Sequence, residues 1–409
     1  MRTSFVHGAS GAKRRRFSRF FAIVAALCSA GCVEPRAEPS SNQAPLPFAR
    51  SLSAGAGHTC AIAKDSAVWC WGSNPDGQLG GGSESLYRLK PEQVAGEMRA
   101  QSVAAGSYHA CSLLDDERVA CWGWNVAGQV GDGTTSNRLS PYRVDGLNSS
   151  VGIATGSYHS CALLQDGSAR CWGQNDFGQL GDGSRLNRSQ PTRVFSLPES
   201  AALAASGRHN CALVRDGTVQ CWGGNEFGEL GDGTLTAREF PLPVPGIEGA
   251  VEVAVGFNHS CALRADGTVA CWGANLHGQL GDGGNENSST PQPVVGLPAG
   301  IAIAAGYNHT CALDADGAVW CWGWNGAGQL GDGSQLDRAS PLRVAGLSQV
   351  RTLAGGGFHT CAAPGSGEVF CWGGNDSGQL GDGTLTDHFS PQRVPGFPGT
   401  APLEGERLP

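Results

Sequence analysis

The chain consists of seven copies of one repeating unit. The string His-x-Cys recurs with a spacing of 51 residues once and then 50 residues five times. Each copy approximates Ala-x-Gly-x-x-His-x-Cys-Ala-Leu-x-x-Asp-Gly-x-Val-x-Cys-Trp-Gly-x-Asn-x-x-Gly-Gln-Leu-Gly-Asp-Gly, followed by Pro-x-x-Val. A period of this length indicates a solenoid, a propeller or a similar array. The repeated histidines are His58, His109, His159, His209, His259, His309 and His359.

Every copy carries strand signals, and helical periodicity is missing from its pattern. In the fifth copy, residues 251–255 form a short apolar run, which we term strand A. Residues 259–263 and 269–272 alternate on either side of an Asp-Gly turn and predict strands B and C, and residues 291–295 predict strand D. Four short strands per unit are typical of a propeller blade.

We therefore predict an all-β fold, a seven-bladed β-propeller with four antiparallel strands per blade, at residues 50–397. Residues 398–409 would form a C-terminal tail. Gly accounts for 63 of the 409 residues without a Gly-X-Y period, which excludes collagen and favours many tight turns.

These motifs also resemble a known family. Gly-x-x-His, Asp-Gly-x-Val, Trp-Gly-x-Asn and Gly-Gln-Leu-Gly are the hallmarks of the regulator of chromosome condensation repeat, and the resemblance covers all seven copies. It implies a seven-bladed propeller. It implies less about activity, because one fold hosts many functions. A nuclear member acts as an exchange factor on a small GTPase, whereas the present chain looks more like secreted bacterial propellers that inhibit beta-lactamases through an aromatic ring face.

Residues 1–31 have the layout of a signal peptide. A basic region precedes an apolar run at residues 20–27, which is too short for a stable membrane-spanning helix. The Ala-Gly-Cys string that ends at Cys32 resembles a bacterial lipoprotein signal, although Ser29 stands where that pattern usually has Leu. We predict lipid attachment at Cys32 and a Pro-rich, disordered linker at residues 32–49.

The charge balance argues against nucleic acid as a partner. The formal charge is −8, but six basic and no acidic residues precede Cys32. Without them, 22 basic residues face 36 acidic ones, a charge of −14. Because nucleic-acid surfaces require clustered Lys and Arg, this excludes the simplest nucleic-acid-binding classes.

The cysteines of the repeats predict disulfides. A hairpin centred on Asp216 places Cys211 and Cys221 directly opposite each other on strands B and C. Each bond would close a short loop and stabilise the fold by roughly 2 to 3 kcal/mol. Disulfides and a signal peptide both indicate export, to the bacterial cell envelope or the medium. The predicted pairs are Cys60 with Cys70, Cys111 with Cys121, Cys161 with Cys171, Cys211 with Cys221, Cys261 with Cys271, Cys311 with Cys321, and Cys361 with Cys371.

A metal site is the alternative use of the same residues. His209, Cys211 and Cys221 could share one hairpin face, as in zinc deaminases. Those enzymes also need a Glu two residues after the His, which no copy has, so we predict neither metal nor cofactor. We expect instead that each His hydrogen-bonds a loop backbone within its blade.

Two further repeated residues are interpreted as structural. The Trp of each Cys-Trp-Gly would pack between blades, and the Asp of Gly-Asp-Gly would cap a turn rather than bind calcium. The tryptophans are Trp71, Trp122, Trp172, Trp222, Trp272, Trp322 and Trp372. The aspartates are Asp132, Asp182, Asp232, Asp282, Asp332 and Asp382.

Residues that differ between copies are the candidates for function. In an up-and-down blade the A-B and C-D turns lie on one face of the ring, which we term the A-B/C-D face. Aromatic side chains with an occasional charge, as found on these turns, are typical of protein-binding hot spots. The candidate partner-binding residues are Asp76, Tyr108, Trp124, Tyr158, Phe177, Arg208, Phe227, Phe257, His277, Tyr307, Trp324 and Phe358. Some of them could instead plug the ring or cap a neighbouring blade.

Three functions are compatible with this pattern. The leading hypothesis is a non-enzymatic, monomeric ring that binds an unidentified protein and contacts the membrane only through its lipid. A glycan-active or carbohydrate-binding propeller would need a close carboxylate pair confined to one or two copies, and none stands out. An exchange factor would be found by a nucleotide-release assay.

Lipid attachment predicts a simple behaviour. The mature protein should partition into detergent, and Cys32→Ala should move it to the soluble fraction or block processing. Phase separation of the expressed protein and N-terminal sequencing check this. A mature N-terminus other than residue 32 would contradict it.

Overall fold

The computed structural model describes residues 52–96 and 98–399, and within them the chain forms strands and no helix. No described segment is a helix long and apolar enough to cross a membrane. The predicted signal peptide, the lipidated Cys32, the linker and residues 400–409 of the tail lie outside the described residues.

Within the described ranges, twenty-eight strands follow one another in groups of four. The A strands are β1 Leu52–Ala54, β5 Ala100–Ala105, β9 Ser150–Thr155, β13 Ser200–Ser206, β17 Ala250–Val255, β21 Gly300–Ala305 and β25 Val350–Gly355. The B strands are β2 His58–Ile62, β6 His109–Leu114, β10 His159–Leu164, β14 His209–Val214, β18 His259–Arg264, β22 His309–Asp314 and β26 His359–Pro364. The C strands are β3 Val68–Ser73, β7 Val119–Gly123, β11 Ala169–Gly173, β15 Val219–Gly223, β19 Val269–Gly273, β23 Val319–Gly323 and β27 Phe370–Gly373. The D strands are β4 Tyr87–Gln93, β8 Arg138–Arg143, β12 Arg188–Arg193, β16 Arg238–Pro243, β20 Ser288–Pro293, β24 Arg338–Arg343 and β28 His388–Arg393.

Each group of four forms one antiparallel sheet, so the predicted seven-bladed propeller is confirmed. The A strands line a central cavity of about 120 Å³, and the D strands lie outermost with many exposed residues. Strand D of the fifth blade begins at Ser288, earlier than predicted, and ends at Pro293. Every D strand contains a Pro, which removes a backbone donor and protects the outer edge from pairing with other chains.

The predicted disulfides are confirmed in all seven blades. Cys211 faces Cys221 in the register of β14 and β15, and the two Cα atoms are 4.1 Å apart. The other six pairs join the same positions of their blades. Each bond therefore closes one B-C hairpin and leaves the contacts between blades to non-covalent forces.

The tryptophans of the repeated Cys-Trp-Gly string pack between blades, as predicted. Trp172 is fully buried, and its Nε1 donates to the carbonyl oxygen of Gln129 in the preceding blade at 2.8 Å. The residue that faces the Trp172 indole must be a glycine, because there is no room for a Cβ and because the backbone has a positive φ. Gly131 has a φ of +82°, and a Cβ there would lie 2.7 Å from Trp172 Nε1.

A second donor reaches the same carbonyl oxygen. Ser160 Oγ donates to Gln129 O at 2.9 Å, beside the Trp172 bond. We term this pair of donors the carbonyl clamp. It recurs across the seam between the last and first blades, where Trp71 Nε1 and Thr59 Oγ1 both donate to Gln379 O at 2.9 Å. The ring thus closes without exchange of a strand between the first and last repeats.

The prediction for the histidines was wrong. Six of the seven side chains bond the next blade rather than a loop backbone of their own, and His58 is the exception. His109 Nε2 lies 2.9 Å from Ser160 Oγ, and because that hydroxyl donates its proton to Gln129 O, the His is the donor. His159 likewise donates to Asn210 Oδ1 at 2.8 Å. The histidine therefore holds the clamp residue of the neighbouring blade in place.

The seam between blades one and two lacks this contact. Ala110 occupies the position of Ser160, so Trp122 Nε1 is the only side-chain donor to Gln78 O among the described residues. His58 is fully buried, and neither of its ring nitrogens has a hydrogen-bond partner among the described residues. Since a buried unpaired polar group costs about 1 to 3 kcal/mol, we expect this seam to be less stable than the others.

Ala110→Ser should stabilise the ring. The new hydroxyl would accept from His58 and donate to Gln78 O, a gain of about 1 kcal/mol or more in the free energy of unfolding. Thermal and denaturant unfolding measure it. Ser160→Ala, which removes the same contact from the next seam, is the matched control and should destabilise. An Ala110→Ser protein that is no more stable than the parent would contradict this account of the seam.

Acid should begin to destabilise the ring at a pH above the range in which carboxylates titrate. Burial lowers the pKa of His58 to about 4 and that of His109 to about 3, from 6.5. Protons therefore bind the unfolded chain more tightly than the folded one, so stability that is complete above pH 6.5 is lost as the pH falls from 6.5 to about 4, the interval between the two pKa values of His58. Calorimetry should show the melting temperature falling across this window. A melting temperature that stays constant down to about pH 4 would contradict neutral buried histidines.

Candidate functional site

One backbone hydrogen bond joins the A-B and C-D turns of every blade. In the second blade, Trp124 N–H donates to Tyr108 O at 2.9 Å. The equivalent bond in the third blade runs from Gln174 to Tyr158, and that in the sixth blade from Trp324 to Asn308, both at 2.8 Å. The residue before each His is therefore fixed beside the residue after each Trp-Gly.

An Asn organises the long C-D turn. Asn125 Oδ1 accepts from Val130 N–H at 2.8 Å, and its Nδ2 donates to Asp132 Oδ1 and to Ser136 O. Asp132 caps the turn by accepting from Thr134 N–H at 2.9 Å, as predicted for the Gly-Asp-Gly aspartates. These bonds and those of the neighbouring groups hold the pKa of Asp132 below its usual value, although burial alone would raise it. The turn is thus rigid enough to present its variable side chains.

Three predicted residues form a first aromatic cluster. The Trp124 ring lies 5.0 Å from the Tyr158 ring and 5.9 Å from that of Tyr108, both edge-on. Tyr108 and Tyr158 are stacked at 5.9 Å. Tyr108 is 40% exposed, and burial raises the pKa of Tyr158. Arg208 lies next in the ring, with its guanidinium 4.6 Å from the centre of the Phe177 ring.

Five predicted residues form a second cluster in blades five to seven. Trp324 lies 5.4 Å from Phe358 and 6.3 Å from His277. The Tyr307 ring lies 5.8 Å from the Phe358 ring and 4.7 Å from the Phe257 ring, so it connects the two. Phe358 is 42% exposed. Five side chains far apart in sequence therefore form one continuous apolar surface.

Tyr307 also closes the ring at its centre. Its hydroxyl lies 2.7 Å from Ser107 Oγ, on a blade that is not its neighbour. Burial raises the pKa of Tyr307 to about 12. The residue is part of the wall of the central cavity, so it links the second cluster to the second blade across the cavity.

Four predicted residues lie outside both clusters: Arg208 and Phe177, which contact each other, and Asp76 and Phe227. Asp76 accepts from Asn137 Nδ2 of the second blade at 3.2 Å, and burial raises its pKa. Phe227 is half-buried on the fourth C-D turn, where its N–H donates to Glu229 Oε2 at 2.7 Å. Glu229 takes the position and the hydrogen bond that Gln has in the other copies, and burial raises its pKa.

Exposed aliphatic side chains on the same turns were not among the predicted residues. Val126 and Leu276 follow the organising Asn and are 60% and 66% exposed. Others follow the Gly-Asp-Gly turn. Their only signal in the sequence is that apolar residues stand at variable turn positions. The exposed aliphatic residues on the C-D turns are Leu86, Val126, Leu186, Leu235, Leu276, Leu336 and Leu385.

The structure also shows what the residues considered as a zinc site contact. The sulfurs of Cys211 and Cys221 are bonded to each other, and His209 Nε2 lies 2.8 Å from Ser260 Oγ. The trio weighed as a zinc site is therefore engaged in other bonds. Within residues 52–96 and 98–399, no group of three or more His, Cys, Asp or Glu side chains could hold a metal ion.

Comparison with known proteins agrees with the fold. Residues 29–245 match the model of an RCC1-like domain. Two models of the regulator of chromosome condensation (RCC1) repeat match the remainder. One matches residues 250–279, 301–329 and 350–379, and the other matches residues 266–313, 316–363 and 366–404.

Individual relatives match over shorter segments. The chain is 38% identical to human E3 ubiquitin-protein ligase HERC2 over 84 residues, which are 20% of this chain and 2% of that protein. It is 35% identical to human RCC1 domain-containing protein 1 over 106 residues, 25% of this chain and 28% of the relative. The chain thus matches well under half the length of each.

Solved structures match over most of the ring. Human WBSCR16 is 27% identical with a TM-score of 0.71, and the match covers 76% of this chain and 86% of that one. Yeast RCC1 (Prp20), solved with Kap60 bound, is 22% identical with a TM-score of 0.73, covering 90% and 91%. Together with the repeat pattern and the seven blades, these matches show that the chain belongs to the regulator of chromosome condensation (RCC1) repeat family.

Proposed function

We propose that this protein is a non-enzymatic propeller that binds a protein partner through its A-B/C-D face. The observation that carries the proposal is the grouping of the variable aromatic residues into two clusters on that face, surrounded by exposed aliphatic side chains. Aromatic anchors with surrounding apolar contacts are typical of protein-binding hot spots. Monomeric proteins rarely expose apolar side chains in such groups without a binding role.

The rest of the ring suits this role. A disulfide in every blade and a clamp at most seams make the face rigid, so a partner would order little backbone on binding. The ring closes on itself through contacts within the chain, which supports a monomer. The yeast RCC1 structures are 22% identical to this chain and bear on the fold alone, so exchange activity is not carried over.

We place this function outside the cytosol. Seven disulfides would be reduced by cytosolic thiols and persist in an oxidising compartment. The lipoprotein-like string at Cys32 would tether the ring to a membrane of the cell envelope, and the Pro-rich linker would hold it away from the surface. Affinity capture with the oxidised, full-length ring as bait, followed by mass spectrometry, identifies the partner.

The two tryptophans of the face provide the sharpest test. Trp124 and Trp324 occupy the same position of the second and sixth blades, where the first blade has Ser73. Loss of an indole anchor should cost roughly 2 to 4 kcal/mol of binding free energy, so Trp124→Ala and Trp324→Ala should weaken partner binding markedly. Calorimetric titration and thermal unfolding separate the two effects.

Ser73→Ala is the control at the matched position and should change neither quantity appreciably. If the tryptophans only pack against the ring, their replacement should lower the melting temperature and leave partner capture intact. That result would defeat the binding-face proposal.

A further inference from the structure

The A-B/C-D face carries unpaired negative charge beside its aromatic clusters. The exposed residue that follows the organising Asn is Asp176 in the third blade, Glu226 in the fourth and Asp376 in the seventh. Within the described parts of the chain, none of these carboxylates forms an ion pair with Lys, Arg or His.

The basic groups of the same turns are already engaged. Arg185 pairs with Glu239 at 2.7 Å, and His277 Nδ1 lies 2.8 Å from Asp337 Oδ2. Arg208 lies over the Phe177 ring. On the opposite face some charges pair with each other, as Arg99 does with Asp115 at 3.2 Å, whereas Asp145 and Glu248 form no ion pair among the described residues. What distinguishes Asp176, Glu226 and Asp376 is therefore their position on the A-B/C-D face, where the basic side chains of the turns already have other partners.

The carboxylates are adjacent to the aromatic clusters. Asp176 Oδ2 accepts from Gln174 Nε2 at 2.7 Å, and Gln174 N–H donates to Tyr158 O, so this carboxylate flanks the first cluster. Asp376 follows Asn375 on the turn whose Gly374 N–H donates to Phe358 O at 2.7 Å, which places it beside the second cluster. Glu226 precedes Phe227 on the intervening blade. The negative charge of Glu226 adds to burial in raising the pKa of Glu229.

Such a surface suits side chains that are apolar along their length and positively charged at their end. The stem of Lys or Arg can pack against an aromatic ring while its charge pairs with a neighbouring carboxylate, and a cation over the ring face gains further attraction. A neutral or acidic partner would instead remove the carboxylates from water without a compensating charge, at a cost in affinity.

We propose that the partner docks through a basic polypeptide segment, in which Lys or Arg side chains alternate with apolar ones. This inference rests on the proposed function, because it names the chemistry of the partner at the same face. The aromatic clusters would bind the apolar side chains and the stems of the basic ones. Asp176, Glu226 and Asp376 would select for positive charge.

A displayed library of random 12-residue peptides, selected on the purified oxidised full-length protein, tests the inference without knowledge of the partner. The charge-reversal variant is Asp176→Lys combined with Glu226→Lys, both at exposed positions. The matched control is Asp145→Lys combined with Glu248→Lys, which makes the same change of charge at exposed positions of the opposite face. Trp124→Ala reports whether a selected peptide binds the aromatic face.

The selected peptides should contain more Lys and Arg than Asp and Glu, together with apolar residues. Their affinity should fall about tenfold or more on the charge-reversal variant and on Trp124→Ala, change little on the control, and weaken as salt is raised. Peptides that lose binding on Trp124→Ala but are neutral or acidic, and indifferent to charge reversal, would overturn the inference and leave the proposed function standing. A selection that yields only peptides indifferent to both changes, or none, would overturn both.

Discussion

The hydrogen bond from a buried Trp to a C-D turn carbonyl oxygen is the interaction on which the ring depends, because it recurs at all seven seams of the described residues. At six of them a second donor completes the carbonyl clamp. Covalent and ladder bonds hold each blade together, but they stop at its boundary because every sheet uses the four strands of one repeat. Between blades, the carbonyl oxygen at Gln129 receives Trp172 Nε1 and Ser160 Oγ, and the indole fills the space beside them. A buried carbonyl with two lone pairs is thereby satisfied, and the seam pairs polar groups while it buries apolar area.

The same residues connect the core to the face. Gln129 belongs to the C-D turn, so the clamp fixes the base of the turn whose tip carries the variable side chains. Asn125 then holds the tip, and the bond from Trp124 to Tyr108 joins it to the A-B turn. The aromatic clusters are consequently supported by the repeated framework and free to vary in sequence. This division allows one family to present different surfaces on one scaffold.

The A-B/C-D face places carboxylates beside aromatic rings, which composition alone does not show. Asp176 bonds the neutral amide of Gln174, whose backbone N–H donates to Tyr158 O, so the carboxylate lies next to the first aromatic cluster without a basic partner among the described residues. An aromatic surface edged by carboxylates differs from a purely apolar one because it discriminates between partners by charge as well as by shape.

The sequence by itself determined the fold and the register of the hairpins. A repeat with an Asp-Gly turn aligns Cys211 with Cys221 by counting residues, since strand pairing around a short turn is a local matter. The tertiary structure decided which side chains contact each other between blades. His109 and Ser160 meet at a sequence separation of 51, and Tyr307 meets Ser107 at a separation of 200. Local pattern cannot supply such partners, because identical repeats look alike until the ring closes and brings particular side chains together. For the same reason the exposure of Leu276 and the isolation of His58 became visible only in the assembled ring.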